Sequence, residues 1–178
     1  MKLNSRANTL HEKLKKIKGM GWIKTLNNHD TGVGETLEYH LGISKNSSKL
    51  PDFEGIEIKA YRVNKKNKKK RTVRKSLFAQ VPNWKNSFVK SSNELLDLCG
   101  YNCDKTNLKR LYVTVSSLKK NPQGLILKVN RELNTVEEFY DDKLLVSWDV
   151  DKLLDRLYEK HKETFWIETK SMHEKDIE

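Results

Sequence analysis

Asp52, Glu57 and Lys59 have the types and spacing that phosphate chemistry needs, within Pro51-Asp52-Phe53-Glu54-Gly55-Ile56-Glu57-Ile58-Lys59. Alternate residues of a strand point to the same side, so Glu57 and Lys59 share a face while Ile58 anchors the other. Asp52, arriving from the turn at Pro51, can converge on that face. Two carboxylates with nearby water make an oxygen-rich site of the kind Mg²⁺ takes. An ammonium beside them can orient an attacking water and help hold the charge that develops on a phosphate. Metal-assisted phosphodiester hydrolysis uses these parts. Alone, the triplet is unspecific. In a chain this rich in charge it arises by chance about once in two sequences, and a surface Glu and Lys on an amphipathic strand account for it equally.

The distribution of charge points to a phosphate partner. The chain has 178 residues and a net charge of +11, and residues 1–90 hold 21 Lys and Arg against 7 Asp and Glu. Residues 91–178 hold 14 against 17, so the positive charge is gathered in one half. Such a face ordinarily meets nucleic acid, and less often an anionic membrane. With 36% hydrophobic residues, 5 Phe, 4 Trp and 6 Tyr, the chain can still pack a core, so disorder is excluded. The length is that of one domain, taken as residues 1–178. No apolar run approaches the roughly 20 residues of a membrane span. Met1-Lys2-Leu3-Asn4-Ser5-Arg6 has no apolar stretch behind it, so no signal peptide is visible. Two cysteines, Cys99 and Cys103, cannot staple a chain of this size, which fits a reducing cytoplasm.

The elements that must position the triplet follow from hydrophobic period. Leu10, Leu14 and Ile17 among lysines give an amphipathic helix over 5–18, ended by Gly19 and Gly21. A second helix runs from Thr36 to Leu41, entered from the turn Thr31-Gly32-Val33-Gly34. The period then changes to two, with Ile56, Ile58 and Ala60 alternating with Glu57, Lys59 and Tyr61. Short strands are expected over 77–81, 111–115 and 125–129, the last two separated by Asn121-Pro122-Gln123-Gly124. Asp149 can cap a helix in which Leu153, Leu154, Leu157 and Tyr158 share a face, and Phe165-Trp166-Ile167 reads as a last strand. The fold class is α/β or α+β, with a mixed central sheet flanked by helices.

Residues 63–75 are strongly cationic, with Lys65, Lys66, Lys68, Lys69, Lys70, Arg71, Arg74 and Lys75. A solvated loop and a phosphate-gripping hairpin tip are both open readings. Gly32-x-Gly34 lacks the third glycine of a dinucleotide cradle. Cys99 and Cys103 stand one helical turn apart without a second pair to complete a zinc site, so buried free thiols are expected. Trp84, beside Lys85, is read as core, with a DNA contact as the alternative.

The run Asp30-Thr31-Gly32-Val33-Gly34-Glu35-Thr36-Leu37-Glu38-Tyr39-His40-Leu41-Gly42-Ile43, followed by Pro51 to Ala60, resembles the MvaI/BcnI family of restriction endonucleases. That family lies in the MutH-like branch of the PD-(D/E)XK nucleases. Trp22-Ile23 suits its opening; the clear resemblance covers about residues 20–62, with a weaker likeness at Leu77-Phe78 and Leu145-Val146-Ser147-Trp148-Asp149. The resemblance implies a Mg²⁺-dependent endonuclease on double-stranded DNA, acting as a monomer, with its catalytic part at about 20–90. It implies Asp52 and Glu57 as metal-binding acids, Lys59 as the catalytic lysine and Glu38 as an additional acid on the preceding helix. A capping charge at a helix start is the other reading of Glu38. Relatives of this kind continue some tens of residues further, so the recognition part is expected to be shortened or absent. A MutH-like nicking or repair endonuclease, and a non-catalytic basic DNA-binding module, are the alternative functions.

Overall fold

The computed structural model describes residues 4–44, 50–63, 75–104 and 106–172. It is an α/β protein whose chain gathers into two compact units, Met1–Phe78 with Leu157–Glu178, and Ala79–Arg156.

In the first unit, helix α1 spans Ser5–Gly19 and is opened by Asn4, whose side chain accepts the Ala7 N–H at 2.9 Å. Its last turn carries Lys16 and Lys18, cations placed at the negative end of the helix dipole. Helix α2 spans Gly32–Leu41 and starts four residues before the expected Thr36. The glycines belong to its first turn because Gly32 sits against the backbone: a Cβ there would meet the Asn27 carbonyl oxygen at 2.3 Å. Gly42 closes the helix in the left-handed region, at φ 79°. Strand β1 (Glu57–Arg62) pairs in parallel with β7 (Thr164–Thr169), the expected last strand. One face of this pair is apolar: Ile56 and Ile58 are buried with Ala7, Leu10, Leu37 and Leu41, and Phe165 and Ile167 pack against them.

In the second unit, α3 spans Ser92–Cys99, and β2 (Tyr101–Cys103) pairs antiparallel with β3 (Leu108–Arg110). Strands β4 (Leu125–Asn130), β5 (Thr135–Tyr140) and β6 (Lys143–Asp149) form an antiparallel sheet in that order. Its core is Val89, Cys99, Leu125, Leu145 and Val146. Parallel and antiparallel pairing thus occupy separate sheets. Helix α4 (Val150–His161) follows β6, beginning in the second unit and ending in the first.

Two expected strands are extended segments without a ladder. Over 77–81 the backbone carbonyls find side chains instead: Leu77 accepts from the His161 ring at 2.8 Å and Gln80 from the Trp148 indole at 3.1 Å. Over 111–115 the alternation is real, since Leu111, Val113 and Val115 pack on the second core while Tyr112 is exposed. Its carbonyls are met by Tyr101 and Asn121 side chains. Period two sets which face a residue shows, and does not supply a partner strand. No helix of the described residues is long and apolar enough to cross a membrane.

Leu10 and Ile56 are fully buried in the first core. Leu10→Ala or Ile56→Ala should lower stability by about 2–5 kcal/mol in denaturant unfolding, because removed methyl groups leave a cavity. Leu118→Ala, at 92% exposure, should stay within about 0.5 kcal/mol.

Candidate active site

The polar face of β1 begins at a two-residue turn. Phe53 and Ile56 exchange backbone hydrogen bonds of 3.0 and 2.8 Å, leaving Glu54 and Gly55 as the central residues, at φ 47° and 87°. Positive φ at both positions is the type I′ pattern, and Gly55 meets it without strain. Glu54 has no such freedom; its carbonyl is held by the Arg6 guanidinium at 2.9 Å. This turn returns Asp52 alongside the start of β1, where its Oδ2 accepts the Ile58 N–H at 3.0 Å. Asp52 and Glu57 are thereby neighbours across the turn, as the sequence predicts.

Glu57 is 1% exposed, an unusual place for a carboxylate. Its Oε1 lies 2.6 Å from the Lys59 ammonium and 3.5 Å from that of Lys160. Neither carboxylate oxygen has a hydrogen-bond donor in good alignment among the described residues, so the two cations hold Oε1 by charge and Oε2 has no donor. An acid buried this deeply keeps its charge only beside opposite charge. Lys160 stands in the last turn of α4, and β1–β7 pairing sets Glu57 opposite Thr164, just beyond that turn.

Glu38, on α2, faces the same place. Its carboxyl is pushed above the ordinary range first by burial and then by the negative charge of Asp52, with Glu35 and Glu57 acting in the same direction and Lys59 against them. The four residues singled out in the sequence, Glu38, Asp52, Glu57 and Lys59, are therefore brought together. Lys160 joins them, and the sequence carries no signal for it: it lies a hundred residues downstream, among ordinary helix-surface lysines. No group of three or more His, Cys, Asp or Glu side chains among the described residues is arranged to hold a metal. The donors that fit a hard cation are the carboxylates of Asp52 and Glu57, which leave the remaining positions to water and substrate oxygens, an arrangement Mg²⁺ favours. The donor-less Oε2 of Glu57 is the observation in favour of that fit.

Of the cationic residues, Lys65, Lys66, Lys68, Lys69, Lys70, Arg71 and Arg74 lie outside the described residues. Lys75 lies within them, its ammonium over the Tyr61 and Trp166 rings. Trp84 packs against the second core. Cys99 and Cys103 are free, but Cys99 ends α3 and Cys103 is in β2, so they do not share a helical turn. Burial, and then Glu138, push the Cys99 thiol upward, away from the reactive thiolate.

Turn-linked acids and a strand lysine thus lie together on an α/β framework. The structure resembles that of restriction endonuclease MvaI in complex with its cognate DNA substrate: TM-score 0.80 and 24% identity, over 98% of this chain and 71% of that one. At that identity the likeness is one of fold. The chain belongs to the MvaI/BcnI restriction endonuclease family, which it matches over residues 11–178. No curated protein matches it.

The raised Glu38 and Glu138 carboxyls give stability a pH dependence. Above their ordinary value of 4.5 the unfolded chain loses protons that the folded chain retains, so stability falls as pH rises through that window. Glu38→Gln should reduce this fall, measured by denaturant unfolding across the pH range. An unchanged pH dependence would show that Glu38 titrates normally.

Proposed function

We propose that the chain is a Mg²⁺-dependent, sequence-specific endonuclease of the PD-(D/E)XK type that hydrolyses phosphodiester bonds in double-stranded DNA. The observation that carries this is Glu57, buried to 1% with two ammoniums at Oε1 and, among the described residues, no donor to Oε2, beside Asp52. A buried carboxylate left so incompletely satisfied is costly as a purely structural feature, and is explained if a cation completes its shell. The MvaI complex with cognate DNA supports duplex DNA as the substrate, and family membership supports cleavage at specific sequences.

In this reading Asp52 and Glu57 hold Mg²⁺, which supplies charge stabilisation at the phosphate. Lys59 is an ammonium and a donor only, so it orients the attacking water rather than removing its proton. The water oxygen forms the new bond to phosphorus, its proton passes to solvent, and the sugar oxygen leaves with a proton in turn. Glu38, held toward its protonated form by burial and by Asp52, completes the acidic rim. Lys160 helps hold Glu57 by charge at Oε1. Lys65, Lys66, Lys68, Lys69, Lys70, Arg71, Arg74 and Lys75 track the DNA backbone. The protein works as a monomer in the cytoplasm.

Supercoiled plasmid of known sequence, incubated with protein and Mg²⁺, should yield discrete linear fragments, and chelation should stop the reaction. Asp52→Ala and Lys59→Ala should abolish cleavage while DNA binding persists, because phosphate affinity is carried mainly elsewhere. Lys160→Met should slow cleavage less than Lys59→Met, since the Lys160 ammonium lies farther from Glu57 Oε1, at 3.5 Å against 2.6 Å. Cleavage that survives full chelation defeats the metal mechanism. Open circles without linear product indicate a nicking enzyme, and a mobility shift with intact strands at every Mg²⁺ concentration indicates a binding module.

A further inference from the structure

The β1–β7 register places Trp166 opposite Lys59 and Glu168 opposite Tyr61. Partners in a parallel pair project to the same side, so Trp166 and Tyr61 stand on the polar face that carries Glu57 and Lys59. The Lys75 ammonium lies over both rings, 3.9 Å from the Tyr61 centroid and 4.6 Å from the Trp166 centroid. Trp166 is braced in turn. The His161 ring stacks on it, with centroids 6.4 Å apart and planes 5° from parallel, and is itself fixed to the Thr164 hydroxyl at 3.0 Å and the Leu77 carbonyl at 2.8 Å. Glu168, the acid closest along the register, is engaged by the Tyr61 hydroxyl at 2.8 Å. Among the described residues no carboxylate pairs with Lys75.

A lysine on an exposed surface normally moves freely in water, and fixing it costs side-chain entropy. Here two aromatic faces hold it without neutralising it, because a ring quadrupole attracts the ammonium but accepts no net charge. The result is a preorganised cation with N–H donors to spare, on the face where Lys59 stands. Such a charge is matched by an anion, and a lysine ammonium serves phosphate as a point charge. Base stacking fits less well, since the ring faces are already engaged by the ammonium and by His161. We propose that Lys75, held by Tyr61 and Trp166, is a fixed phosphate-binding site that grips the DNA backbone beside the phosphodiester being cut. The site rests on the endonuclease reading for its substrate, and deepens it by assigning one backbone phosphate to an aromatic-held lysine.

The test measures binding to a short duplex of random sequence, with chelator present so that nothing is cut, across a series of salt concentrations. Lys75→Gln should weaken binding and reduce the slope of log K against log salt by about 0.9, the signature of one phosphate no longer neutralised. Lys75→Arg, which keeps the charge, should restore most of that slope. In a Trp166→Leu background, whose folding is checked by its unfolding transition, Lys75→Gln should cost less than in the wild type, because the ammonium is no longer held in place. Trp166→Phe, which keeps a ring, should behave as wild type. A slope unchanged by Lys75→Gln overturns the proposal, and so does an equal weakening in both backgrounds. Plasmid cleavage by the wild type is scored separately. If it cuts while Lys75→Gln binds normally, the lysine site is wrong and the endonuclease reading stands. If Lys75→Gln shows the reduced slope and no variant cuts, the reverse holds; a wild type that does not bind duplex removes both.

Discussion

A carboxylate at 1% exposure sets the constraint around which the first unit is arranged. Glu57 is ordered there by β1 pairing in parallel with β7, and that pairing fixes where the last turn of α4 delivers Lys160. Removing a carboxylate from water costs several kcal/mol even after relaxation, and attraction to a nearby cation repays it only with good geometry and further hydrogen bonds. Among the described residues, Glu57 has the cations without the hydrogen bonds. Its environment therefore holds charge of the right sign while leaving coordination capacity unspent. Asp52 differs: its Oδ2 is committed to the Ile58 N–H, so the turn fixes its orientation.

Burial first, and then the neighbouring charge of Asp52, raise the proton affinity of Glu38. The surrounding charge offsets this. The unit that holds the site carries 23 Lys and Arg against 13 Asp and Glu, a net of +10, whereas Ala79–Arg156 carries 12 against 11. The chain's positive charge thus follows the unit with the acids. The two scales act differently. Close ammoniums of Lys59 and Lys160 act at contact distance on one carboxylate, while the distributed excess acts over about a Debye length, roughly 10 Å in 0.1 M salt, and favours any polyanion approaching the unit.

What the sequence revealed was whatever depends on neighbours in the chain. The turn at Glu54-Gly55 and the alternation of Ile56 and Ile58 with Glu57 and Lys59 are local, so both the strand and its chemical face could be read directly. Helix α1 was legible for the same reason, through Leu10, Leu14 and Ile17. Lys160 was not, because its role exists only once β7 has found β1 across a hundred residues. Strands β5 and β6 were missed because their turn, Asp141-Asp142 at φ 45° and 67°, has a second aspartate where glycine is the usual signal. The segments over 77–81 and 111–115 show the opposite error. Their alternation predicted sides correctly for Leu111, Val113 and Val115, but strand identity required a partner that the described residues do not provide.

The same distinction separates the residues of the turn and strand, which are set locally, from the groups that support them. A tight turn followed by a strand places side chains closely with few residues and little accumulated error. Support for those side chains can come from anywhere in the fold, since a cation at 3.5 Å or a ring at 3.9 Å needs charge and proximity more than exact direction. Lys160, Trp166 and His161 are such supports, all supplied by the junction between α4 and β7. That junction joins the chain returning from the second unit to the strand that pairs with β1. A change that weakens β1–β7 pairing would therefore reach Lys160 and Trp166 together, while the turn carrying Asp52, tied by Ile58 and Arg6, keeps its own local bonds.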